Sequence, residues 1–278
     1  MIVDSHVHLM TDTTGWYAYK KSAGGSDAKA WDSHATALLL DESGIDRCFL
    51  FTLAGLYGFN DHRAANDEVG QAARDYPERF VPFCTAFPNQ DPTAAAEEVE
   101  RCLSSGFKGV KFHPWLQSFP ANSAYLYPAL EVCAKYRAPV IFHTGTPPYS
   151  QPFQVMEQAR RFPSVPFIIG HFGKIMFLDA VRSAELYPNV YLETSGAQVA
   201  DLQYAVQRIG TDRILFGTDL PIGGAASAKW NLVKIASAIP DPDCQRAIFG
   251  DNALRLISEV LSSGVTGSMP SQHKIPSE

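Results

Sequence analysis

Apolar residues come along this chain in short, nearly unbroken runs separated by amphipathic stretches. The first run is Met1-Ile2-Val3-Asp4-Ser5-His6-Val7-His8-Leu9, and seven more follow at 45–52, 80–85, 109–113, 139–143, 166–171, 189–194 and 213–219. Each has the length of a strand and the continuous hydrophobicity of one buried on both faces. Between them lie helix patterns. Asp32 caps a helix through Leu40 that Gly44 stops, and 60–76 reads as the next. Asp91-Pro92 opens another, with Val99, Cys102 and Leu103 on its apolar face and Gly106 at its end. A further helix spans 124–136. Tyr76-Pro77, Phe162-Pro163 and Tyr187-Pro188 each mark a helix end shortly before a strand, because proline disfavours helical geometry in the residue before it. Eight strands alternating with helices predict a closed parallel (β/α)8 TIM barrel of class α/β. The open doubly wound sheet is the competing architecture, but no Gly-x-Gly-x-x-Gly follows any strand. Helices at 226–238 and 244–261 close a single domain over residues 1–261. Residues 262–278 are polar and Gly/Pro/Ser-rich and read as a flexible C-terminal tail.

Composition narrows the partners. The chain has 278 residues, 46% hydrophobic, and a net charge of −6. No basic block offers itself to nucleic acid or to an anionic membrane, and no apolar run approaches a membrane span. Five scattered cysteines, never spaced Cys-x-x-Cys, fit free thiols in a reducing compartment. With no signal-peptide pattern at the start, a cytoplasmic location is expected.

Chemistry collects where the strands end. His6 and His8 are two apart on strand one, so both imidazoles leave the same face, roughly 7 Å apart at Cα. His113, His143 and His171 end strands four, five and six, and Asp219 ends strand eight. A (β/α)8 barrel gathers these ends into one bowl, the place where such folds carry out catalysis. Imidazoles and a carboxylate converging there suit a borderline divalent cation such as zinc. Lys111, two residues before His113, shares its inward face. Trp115 and Trp16 either line the bowl or pack as ordinary aromatics. Trp16 sits in a long polar segment, 10–29, whose length suggests a functional lid.

Asp4-Ser5-His6-Val7-His8, Phe142-His143-Thr144-Gly145, Gly170-His171-Phe172-Gly173 and Gly217-Thr218-Asp219-Leu220-Pro221 together resemble the amidohydrolase superfamily. The similarity is to its amidohydrolase-related branch, which includes aminocarboxymuconate-semialdehyde decarboxylase, aromatic-acid decarboxylases and dicarboxylate lactonases. The segment 248–256 resembles that branch's closing helix. The resemblance implies that His6, His8, His143 and Asp219 hold one divalent metal ion, most plainly zinc. His171 is then the acid/base residue, with Asp219 sharing proton transfer. His113, Lys111, Trp115 and Trp16 are left to the substrate. In two-metal members a strand-four lysine is carbamylated and bridges the cations; Lys111 occupies that strand, although the related branch is mononuclear. The expected activity is hydrolysis of an amide, lactone or ester of a small molecule, the cation lowering the pKa of bound water toward about 7. The alternative is metal-dependent non-oxidative decarboxylation of an aromatic or unsaturated acid, which calls for an arginine near the bowl to take a second carboxylate. Arg47 and Arg63 are the candidates. A homodimer is expected by analogy with relatives.

Overall fold

The computed structural model describes residues 1–11, 31–52 and 62–261. Trp16, most of the long segment around it and the C-terminal tail fall outside the described residues.

The strands are β1 (Val3–Leu9), β2 (Arg47–Thr52), β3 (Phe80–Cys84), β4 (Gly109–Phe112), β5 (Val140–Phe142), β6 (Phe167–Ile169), β7 (Val190–Glu193) and β8 (Ile214–Leu215). All seven neighbouring pairs are parallel and in chain order, as right-handed β–α–β crossovers require. Closure from β8 back to β1 is irregular: Ser5 N–H donates to Phe216 O at 2.8 Å and His8 N–H to Leu220 O at 2.7 Å. The (β/α)8 barrel read from the sequence is therefore the fold, with a shorter last strand than the expected 213–219. Residues 216–220 hydrogen-bond to β1 one at a time, because Asp219 turns the chain out of the ladder at φ 65°.

Helices α1 (Ser33–Ser43), α2 (His62–Asp75), α3 (Pro92–Ser104), α4 (Tyr127–Tyr136), α5 (Pro152–Arg161), α6 (Phe177–Leu186), α7 (Val199–Ile209) and α8 (Gly224–Ala238) follow the strands. The capping signals act as read. Asp32 accepts from Ala35 N, Gly44 is left-handed, and Asp91 accepts from Thr93 N and Ala94 N. The expected helix over 124–136 is a single 3-10 turn, Ala124–Leu126, before α4, since Pro128 fits only a first helical turn. The expected 244–261 helix is also divided, into α9 (Pro242–Arg246), a π-helical turn (Ala247–Asp251) and α10 (Asn252–Ser258). Asp241 caps α9 through Asp243 N and Cys244 N, the same Asp-Pro device that starts α3.

Strand residues pointing outward pack beneath the helices, and those pointing inward form a separate apolar plug. That plug comprises Val3, Phe49, Phe51, Val81, Phe83, Ile141, Ile168 and Leu215, sealed from below by Ala253 and Leu256 of α10. Lys111 enters the barrel level with Ile141 and is 1% exposed. An ammonium at that depth is costly unless it has a partner above the plug. All five cysteines are free thiols.

Candidate metal centre

His6 and His8 leave β1 with ring centroids 5.1 Å apart. Their Nε2 atoms reach the same atom, Asp219 Oδ1, at 3.3 and 3.0 Å. Asp219 is brought there by its left-handed backbone, with its N–H donating to His6 O at 3.0 Å. Asp4 braces the junction from below: its carboxyl accepts from His6 N at 2.9 Å and Thr218 N at 3.1 Å, and from the Thr218 hydroxyl. His113 and His143, each one residue past its strand, stack with centroids 3.8 Å apart. His171 lies two residues beyond β6, in a left-handed turn (φ 57°), rather than at the end of an extended strand.

One buried carboxylate that the strand-end reading passed over organises these rings. Glu193, the last residue of β7, accepts at Oε2 from His6 Nδ1 (2.7 Å), His171 N (2.9 Å) and Ser195 Oγ (3.0 Å). Its other oxygen takes Ser195 N–H. A Cβ on Gly217 would lie 2.1 Å from Glu193 Oε1, so the carboxylate occupies the space that this glycine leaves. The hydrogen-bond directions then fix the tautomers. His6 donates from Nδ1, so its Nε2 carries a lone pair. Ser195 gives its proton to Glu193, so it accepts from His171 Nδ1 at 2.8 Å. That leaves His171 Nε2 to accept from His143 Nδ1, 2.8 Å away. His143 is thereby left with an unprotonated Nε2, which is buried and has no partner.

The electrostatics agree with neutral rings. Burial first holds His6, His113 and His143 well below the ordinary imidazole range, with Lys111 adding to it for His6 and His113 and the neighbouring His113 and His171 rings for His143. His171 is lowered to about 3, chiefly by burial. Burial alone pushes the Asp219 carboxyl up, but the imidazoles of His171, His8 and His6 outweigh it and hold the group ionised. Asp4, by contrast, is raised to about 8 by burial. Lys111 is lowered to about 8, again by burial, with its Nζ 3.1 Å from His6 Nε2 and 5.0 Å above the Phe51 ring.

These atoms fit a cation. The His6 Nε2 lone pair, met by Lys111 Nζ at 3.1 Å, and an ionised Asp219 oxygen, met by His8 Nε2 at 3.0 Å, face each other in a buried bowl, an arrangement that suits a positive charge. Among the described residues, His6, His8 and Asp219 place one ligand atom each within 4.8 Å of one another, and so do His6, His171 and Glu193. His143 is not in either cluster, although its orphaned Nε2 has the chemistry of a ligand. Glu193 orients His6 from its far nitrogen, the usual partnership of a metal-binding imidazole with a carboxylate.

The remaining expected site residues divide. Trp115 is half exposed at the rim, its ring 6.4 Å from that of His113. Arg47 corrects the sequence reading: it starts β2 in register with Val3, at the end of the barrel opposite the bowl. Arg63 lies exposed on α2. Among the described residues, the cations near the bowl include Lys111 and Lys174. Glu193 could have been found by the criterion that found Asp219, a carboxylate at the end of an apolar run.

The chain belongs to the amidohydrolase family, whose model matches residues 3–258. Within it, the chain is 27% identical over 245 residues to a gamma-resorcylate decarboxylase of Polaromonas sp., which covers 66% of this chain and 75% of that one. Among solved structures, a 2,6-dihydroxybenzoate decarboxylase from Rhizobium superposes with a TM-score of 0.72 at 20% identity, over 92% of this chain and 98% of the other. A 5-carboxyvanillate decarboxylase from Novosphingobium aromaticivorans, solved with manganese, gives 0.71 at 18% identity, covering 93% and 96%. No helix among the described residues is long and apolar enough to cross a membrane.

Proposed function

We propose that this protein is a metal-dependent, non-oxidative decarboxylase of an aromatic carboxylic acid. The observation that carries the reading is the similarity, across two thirds of the chain, to gamma-resorcylate decarboxylases. It favours the second of the two reactions expected from the sequence over hydrolysis of an amide, lactone or ester. The site is compatible with it: neutral imidazoles, one ionised carboxylate and two lysines around a buried bowl.

His6, His8, His143 and Asp219 would hold a single divalent ion, zinc by its preference for imidazole nitrogen or manganese as in the Novosphingobium relative. When bound, the ion acts as a Lewis acid on the oxygens of the acid and stabilises the charge that develops as carbon dioxide departs. Glu193 keeps the His6 lone pair aimed at the bowl, and the Ser195–His171–His143 chain does the same for His143. In the reaction the bond between ring carbon and carboxylate breaks, its electron pair stays on the ring, and that carbon takes a proton. Asp219 is the group suited to relay this proton: ionised at rest, with a side chain 23% exposed and only Oδ1 engaged among the described residues, it takes a proton from solvent, hands it to the ring carbon and is left ionised again. His171, with both nitrogens engaged, orients His143 and packs against the His6 ring, the centroids 4.7 Å apart. Trp115 at the rim and His113 beneath it offer flat surfaces to an aromatic ring.

The reading is tested by supplying the manganese- or zinc-loaded protein with lactones, amides and hydroxybenzoates, following carbon dioxide and hydrolysis products together. Carbon dioxide from a hydroxybenzoate, with no hydrolysis, is the expected result. Hydrolysis without carbon dioxide would overturn it.

A further inference from the structure

Beyond β6 the backbone passes through three left-handed residues in succession, His171 (φ 57°), Phe172 (φ 54°) and Gly173 (φ 76°), and Lys174 keeps φ at 50° with ψ −124°. Side-chain-bearing residues hold such conformations only where the surroundings impose them, and such places concentrate at functional sites. The surroundings here include a slot for the Lys174 stem. A Cβ built on Gly145, in the loop after β5, would stand 2.7, 2.8 and 2.9 Å from Lys174 Cβ, Cγ and Cδ. Gly145 itself has φ 83°, so neither space nor backbone admits a side chain there.

What the stem carries is a half-buried amine that makes no hydrogen bond or ion pair with any described residue. The slot at Gly145 lies two residues past His143 and Lys174 three past His171, so the amine stands beside the candidate metal centre, where its charge is felt by Asp219, Lys111, His6 and His143. A cation taken partly out of water with no counter-ion among the described residues is costly, and it is retained where an anion comes to it. Among the described residues the other cations of the barrel do not meet that need: Lys111 is sealed against His6, Lys234 is buried and donates to Thr194 O, Arg47 is at the opposite end, and Arg63 is exposed on α2.

We propose that Lys174 is the specificity residue that pairs with a carboxylate oxygen of the aromatic acid, selecting acids over neutral aromatics of the same shape. The inference rests on the decarboxylase reading and names how that site recognises its substrate.

The test compares wild type, Lys174→Met and Lys174→Arg, each metal-loaded. Calorimetry measures binding of 2,6-dihydroxybenzoate, 5-carboxyvanillate and the neutral 2,6-dihydroxybenzamide, and carbon dioxide release is followed in parallel. Losing one charge-assisted contact should weaken acid binding by about tenfold or more in Lys174→Met. Affinity for the benzamide and metal content should not change, Lys174→Arg should recover most of the loss, and the effect should fall on KM more than on kcat. A loss confined to 5-carboxyvanillate would assign the contact to a second carboxylate; a loss for both acids would assign it to the group they share. Unchanged acid affinity in Lys174→Met, or an equal loss for acid and amide, would overturn the proposal. Wild type that binds the acids but releases no carbon dioxide would refute the decarboxylase reading, while the affinity ratio still decides the role of Lys174. Wild type that binds neither acid overturns both.

Discussion

Replacing Glu193 with glutamine turns one oxygen of a buried carboxylate into a donor, at a position where every neighbour is also a donor. Four groups point at it: His6 Nδ1, His171 N, Ser195 Oγ and Ser195 N. With the amide nitrogen at the Oε2 position, three of them lose their acceptor; turned the other way, only Ser195 N does, and the amide adopts that orientation. Each buried group left unsatisfied costs about 1–3 kcal/mol, and the charge-assisted bond from His6 becomes a neutral one, so we expect a loss of roughly 2–4 kcal/mol. In a chain of this size that is a fall in Tm of about 3–7 °C. The larger consequence is at the ring. His6 no longer has a carboxylate to hold its Nδ1–H, and the loss of such a partner weakens metal affinity by about 10–100-fold. Competition for zinc against a chromogenic chelator, with a thermal melt of the same samples, measures both effects. Wild-type affinity together with a wild-type melt would refute the relay from Glu193 to the ligand lone pairs.

Three further outcomes follow from the same geometry. Asp219→Ala and His143→Ala should each bind substoichiometric metal and lose turnover while their far-UV circular dichroism stays native; a fully active, metal-free variant would contradict their assignment as ligands. His171→Asn should retain metal and lose about 100-fold or more in turnover, and an unchanged kcat would remove its role. Lys234, buried on α8 with Nζ donating to Thr194 O at 2.7 Å, has its pKa lowered from 10.5 to about 8, mainly by burial. The unfolded chain therefore binds more protons than the folded one between those values, so this group makes stability rise with pH across the window, by about 3 kcal/mol in all. Urea melts of Lys234→Met at pH 7.5 and pH 10.5 should show a correspondingly smaller rise than wild type; equal rises would exclude the buried ammonium as the cause.

What the sequence disclosed and what it concealed have physical causes. Strand ends bearing His6, His8, His113, His143 and Asp219 were legible because a barrel converts strand order into a ring, so an apolar run ending in a donor already specifies a position. Glu193 met the same description, yet what it does depends on partners 22 and 187 residues away and on the space beside Gly217. No local spacing encodes that. Lys174 was hidden for another reason: its aim depends on left-handed backbone at His171 and Phe172, conformations that side-chain propensity assigns elsewhere. Arg47 shows the converse limit, since charge near a strand in the sequence says nothing unless the end of the strand is also read. The division of the last helix was present in Asp241-Pro242, a start signal identical in kind to Asp91-Pro92.

The most direct measurement is a metal titration of the stripped protein, with carbon dioxide release from 2,6-dihydroxybenzoate recorded at each point. Release should rise in proportion to bound ion and reach its plateau at one ion per chain. A rate already complete without metal, or one that climbs only with a second equivalent, would contradict a single-ion centre built on His6, His8, His143 and Asp219.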